Sequence, residues 1–89
     1  MLSQKDVFIM PTILRRGPYR LFFYSSDYDE PPHVHVERDA KTAKFWLDPV
    51  RLQASGGFRR KEIGMIQRLV EENASGLLRS WNEFFERSG

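Results

Sequence analysis

The feature that most constrains this chain is a change of pattern at Ser55-Gly56-Gly57. Upstream, short β-type runs are punctuated by Gly and Pro. Downstream, apolar residues recur at spacings of three and four. The first pattern suits strands and the second suits amphipathic helices, because side chains repeat every 2 residues on a strand and about every 3.6 on a helix. Strands followed by helices, rather than alternating with them, predict an α+β fold: a small antiparallel sheet of four to five N-terminal strands packed against two C-terminal helices.

The strands follow from the punctuation. Ile13-Leu14 and Tyr19 to Tyr24 flank Arg15-Arg16-Gly17-Pro18, which reads as a hairpin turn. Ser25 to Pro32 reads as a polar loop ending in a stiff Pro-Pro pair. His33 to Arg38, Ala43 to Leu47 and Val50 to Ala54 supply further strands, broken at Asp39 to Thr42 and at Asp48-Pro49. Residues 11–89 make a single domain, and residues 1–10 read as an N-terminal extension, since Met10-Pro11-Thr12 could itself be a translation start.

The first helix is expected over Phe58 to Glu72, with Ile63, Ile66, Leu69 and Val70 on its apolar side. Gly64, inside it, either costs about 1 kcal/mol against Ala or permits close approach to the sheet. Asn73 or Ser75 would cap a second helix, Ala74 to Arg87. There Leu77, Leu78, Trp81, Phe84 and Phe85 form one stripe, either core or a seam against a partner, while Arg79, Asn82, Glu83 and Glu86 face away.

Composition removes whole classes of function. There are no cysteines, so disulfides, thiolate zinc sites and thiol nucleophiles are excluded. No apolar run approaches the roughly 20 residues that span a bilayer, and the start lacks the features of a signal peptide. The expectation is a cytoplasmic protein without membrane contact. The net charge is +2, and residues 1–48 carry seven charges of each sign. The basic surplus therefore lies in residues 49–89, densest at Arg51, Arg59, Arg60 and Lys61. These are the candidate nucleic-acid-binding residues, able to neutralise phosphates; an ordinary solvated face would look the same. Tyr19, Phe22, Phe23, Tyr24, Phe45 and Trp46 could stack on bases, although one face of the sheet must be core. Phe22 and Tyr24 share one face, and Phe23 lies on the other.

Pro31-Pro32-His33-Val34-His35-Val36-Glu37 is the one constellation with chemistry in it. Alternation places His33, His35 and Glu37 on one strand face, which can be open to solvent, and Val34 and Val36 in the core. His33 and His35 are the candidate catalytic residues: one imidazole as base and the other on phosphate charge would suit metal-free RNA cleavage. Two imidazoles and a carboxylate also suit a metal, with zinc conceivable at His33, His35 and Glu37 although no cofactor is required. Ordinary half-buried histidines satisfied by neighbouring strands are the third reading. Asp27, Asp29 and Glu30, in the preceding loop, could add a ligand or a general acid to the same place, or simply be solvated.

Met10-Pro11-Thr12-Ile13, the hairpin, Pro31-Pro32-His33-Val34-His35-Val36 and Leu77-Leu78-x-x-Trp81 together resemble domain-of-unknown-function family 4160, small proteins of bacteria and archaea. The resemblance spans residues 10 to 86, and the extension before Met10 departs from it. It brings no catalytic residue with it. It implies a compact protein encoded beside another small gene, in the manner of a toxin–antitoxin-like module. The expected function is thus a module component that binds a small partner protein encoded by the neighbouring gene, with RNA or DNA as a further ligand and His-dependent RNA cleavage as its enzymatic form. The alternatives are a non-enzymatic interaction or regulatory protein with structural histidines, and a metal-binding protein using the His-x-His strand. A homo-oligomer is compatible with each.

Overall fold

A computed structural model describes residues 12–86, so the extension at residues 1–10 lies outside the described residues. Five antiparallel strands run in sequence order: β1 (Thr12–Arg16), β2 (Tyr19–Phe22), β3 (His33–Arg38), β4 (Lys41–Leu47) and β5 (Val50–Ala54). Two helices follow, α1 (Arg60–Glu72) and α2 (Ala74–Glu86). This is the expected α+β fold, five-stranded sheet first and two helices last.

Each hairpin is set by local chemistry. Arg16 pairs with Tyr19 across Gly17-Pro18, and Gly17 takes a φ of 55°, as the short turns between twisted strands require. Arg38 pairs with Lys41 across Asp39-Ala40, with Asp39 at φ 56°, a conformation that Asp tolerates better than most residues. That tight turn starts β4 at Lys41, two residues earlier than the pattern suggests. Gly56 fits where no side chain could: a Cβ there would collide with the Thr42 backbone carbonyl. It lets the chain cross the sheet edge and turn towards α1.

The register divides the sheet into two faces. Leu21, Val34, Val36, Phe45 and Leu47 are buried on one, beneath Ile63, Ile66 and Val70 of α1 and Leu77 and Trp81 of α2. The α2 stripe is therefore core: Leu78, Phe84 and Phe85 pack on the same cluster, and Arg79, Asn82, Glu83 and Glu86 are exposed. Phe58 is also buried, but the helix begins only at Arg60, after an extended Arg59. Two open readings are resolved. Gly64 is exposed with nothing within 4 Å of a Cβ, so it makes no close approach to the sheet. Asn73 stands at both helix ends: its backbone carbonyl accepts the Leu77 N–H at the start of α2, while its side-chain amide serves α1, donating to the Leu69 carbonyl at 2.8 Å.

On the opposite face the pairs Phe22↔His35, His33↔Trp46 and His35↔Lys44 align aromatic and histidine side chains in a row. A 3-10 turn at Ser25–Asp29, inside the segment expected to be an irregular loop, brings Asp27 to this row.

Candidate functional site

β3 delivers His33 and His35 to the same side, as alternation requires, while Val34 and Val36 go to the core. The face is not open, however. His33 is 0% exposed and His35 9%. Aromatic rings account for this: His33 lies 5.0 Å from Trp81 and 5.7 Å from Trp46, ring centre to ring centre, and His35 lies 4.7 Å from Tyr24 and stacks on Phe22 at 5.4 Å. The sequence shows which face the imidazoles share. It does not show that the Ser25–Asp29 turn and α2 close over them.

The carboxylate that meets them is Asp27. Its Oδ2 lies 3.0 Å from His35 Nε2, which donates to it, and 3.1 Å from His33 Nε2. The same oxygen accepts the Tyr24 backbone N–H at 2.9 Å. Burial works to raise the Asp27 carboxyl, but the two imidazoles and the Tyr24 N–H more than reverse this and hold it well below the ordinary carboxylate range. His33 Nδ1 sits 2.9 Å from the Pro31 carbonyl. A carbonyl can only accept, so Nδ1 carries the proton. His33 Nε2 approaches Asp27 to 3.1 Å as an ion-pair contact, and with the proton on Nδ1 that buried nitrogen has no hydrogen-bond partner.

Glu37 is absent from this cluster. It lies on the expected side of β3, but Arg20 on β2 takes it, with Nε 2.8 Å from Glu37 Oε1. The metal set His33, His35 and Glu37 is therefore not assembled, and Asp27 occupies the carboxylate position instead. Glu30 stands at the rim of the cluster: its Oε1 lies 3.6 Å from His33 Nδ1 and accepts from Lys44 Nζ, which holds the carboxyl below the usual range. Asp29 is exposed.

The basic residues do not form one patch. Arg51 pairs across from Trp46 and so shares the histidine side of the sheet, whereas α1 packs on the other side. Arg51 borders a hollow of about 330 Å³ with Pro31, Pro32, Trp46, Asp48 and Pro49. Arg59, Arg60 and Lys61 are exposed together at the start of α1. Of the proposed stacking aromatics, Phe22, Phe23 and Phe45 are buried, and the Tyr19 hydroxyl is bonded to Glu62.

A second polar cluster was not visible in the sequence. Arg38 on β3 grips Glu62 on α1 with two hydrogen bonds, 2.7 Å from Nε and 2.8 Å from Nη2, and Tyr19 donates to the same carboxylate at 2.7 Å. Arg38, then Tyr19, lower the Glu62 carboxyl from 4.5 to about 2. Arg38 and Glu62 stand 24 residues apart, so no local spacing announces them. They fasten helix to sheet.

Fold and site together define a small α+β protein: a five-stranded meander with a two-helix cover and an Asp-His-His cluster closed over by the Ser25–Asp29 turn and Trp81. The chain belongs to the DUF4160 family, described as a domain of unknown function, whose profile matches residues 19–82. That match takes in the Pro-Pro-His-x-His strand and Trp81. A search of curated proteins and a search of solved structures returned no match. Among the described residues no helix is long and apolar enough to cross a membrane.

Proposed function

We propose that this protein is the non-enzymatic member of a small toxin–antitoxin-like module, one that binds the protein encoded by the neighbouring gene. The burial of both imidazoles carries this reading over the nuclease reading. A general base must come within about 3 Å of the proton that it removes. His33 has no exposed surface and His35 is buried against Tyr24 and Phe22. The exposed features suit recognition instead: Arg51 and the half-buried Trp46 beside three prolines are residue types that dominate binding energy at protein interfaces.

A second ligand class is supported by one observation. Arg59, Arg60 and Lys61 lie at a helix N-terminus, and among the described residues none is held in an ion pair. Cations and free N–H groups at such a place favour phosphate oxygens, so RNA or DNA joins the partner protein as a ligand.

The test is titration of the neighbouring gene product into this chain by calorimetry, beside incubation of the chain with labelled RNA. The reading predicts saturable binding that weakens about tenfold or more in Arg51→Ala, and no RNA cleavage. Cleavage by the wild type that a folded His35→Gln variant has lost would contradict it.

A further inference from the structure

We infer that Asp27, His33 and His35 form a site for a zinc-class divalent transition metal that ties the Ser25–Asp29 turn to β3. The observation that points to a ligand is the His33 nitrogen. Its Nδ1–H is used by the Pro31 carbonyl at 2.9 Å, so in the neutral ring Nε2 presents a lone pair. That lone pair is fully buried, lacks a hydrogen-bond donor, and faces a carboxylate oxygen 3.1 Å away. Two such atoms stay in contact only when a second ring proton or a metal cation joins them, and zinc titration separates the two.

The remaining geometry is that of a ligand set. The three donor atoms all lie within 4.8 Å of one another, with His35 Nε2 3.0 Å from Asp27 Oδ2. Around an ion with bonds of about 2.0–2.1 Å, donors stand about 3.4 Å apart at tetrahedral angles, so no donor pair need change its separation by more than about 1.4 Å. The ring planes are crossed at 89°, which allows both imidazoles to converge on one point from different directions. The His33 Nδ1–H to carbonyl bond is the outer-shell contact that orients a ligating imidazole and fixes its tautomer. Two nitrogens and one oxygen select a borderline metal over magnesium or calcium, which prefer oxygen alone. Three protein donors leave a further position for water.

The test treats the whole chain with chelator, removes the chelator and adds zinc chloride. Calorimetry should show one ion per chain, and at zinc about a hundredfold above Kd the thermal midpoint should rise by about 10 °C or more. Magnesium should do neither. Cobalt(II) in place of zinc should give visible absorption bands that His35→Gln and Asp27→Asn abolish. Should those variants fail to fold, long-range proton–nitrogen spectra of the wild type decide, because zinc must shift both Nε2 resonances. No heat and no midpoint rise would overturn the site, as would unchanged Nε2 resonances or zinc binding retained in a folded His35→Gln.

Discussion

Gly64 sits on the solvent side of α1 with open space where a Cβ would stand. Glycine in such a position gives only its cost in backbone entropy, so Gly64→Ala should stabilise the domain by about 1 kcal/mol and raise the thermal midpoint by about 4–8 °C, as calorimetry would show. Sequence reasoning could state both meanings of this glycine but could not choose between them, because the choice depends on how far the sheet is from that side of the helix. The histidine row poses the same difficulty. That His33 and His35 share a face follows from strand alternation alone. That Asp27 and not Glu37 joins them depends on Arg20, which lies on a neighbouring strand and takes Glu37 away. Asp27 stands only eight residues before His35, near enough for the loop to be suspected.

At the scale of elements, β3 and β5 have the bounds that the sequence pattern suggests, and both helices lie where the three-and-four spacing places them. The ends are less legible, since capping is settled by which polar group reaches which carbonyl. Asn73 illustrates this: its side chain serves the helix behind it, so Asn73→Ala should lower stability by about 1 kcal/mol in urea unfolding, through fraying of α1. The joint between sheet and helix has its own signature in acid. Glu62 is lowered from 4.5 to about 2 by Arg38 and Tyr19 in the fold. A carboxyl depressed by folding stabilises above its unfolded pKa, and the effect disappears as pH falls through its folded value. The wild type should therefore lose midpoint progressively from about pH 4.5 to about pH 2, and Glu62→Gln should show a flatter profile with a lower plateau at neutral pH.

The whole molecule is held by one core, and Trp81 is the member that joins its parts. It meets Phe23 at 5.2 Å and Phe85 at 4.3 Å, and it also covers His33 at 5.0 Å. Trp81→Ala should cost about 3–5 kcal/mol, a large share of what a small domain has, and denaturant curves should show a shallow or incomplete native baseline. The same residue belongs to both core and histidine cluster, which explains why the cluster cannot be separated from the fold. It also bears on the central claim, that His33 and His35 are interior groups rather than an exposed catalytic pair. The most direct measurement is the urea unfolding midpoint of His33→Ala in metal-free buffer. The account predicts a loss of about 2–4 kcal/mol, from the vacated ring volume and the lost bond to Pro31. A midpoint within about 0.5 kcal/mol of the wild type, the range of ordinary surface substitutions, would contradict it.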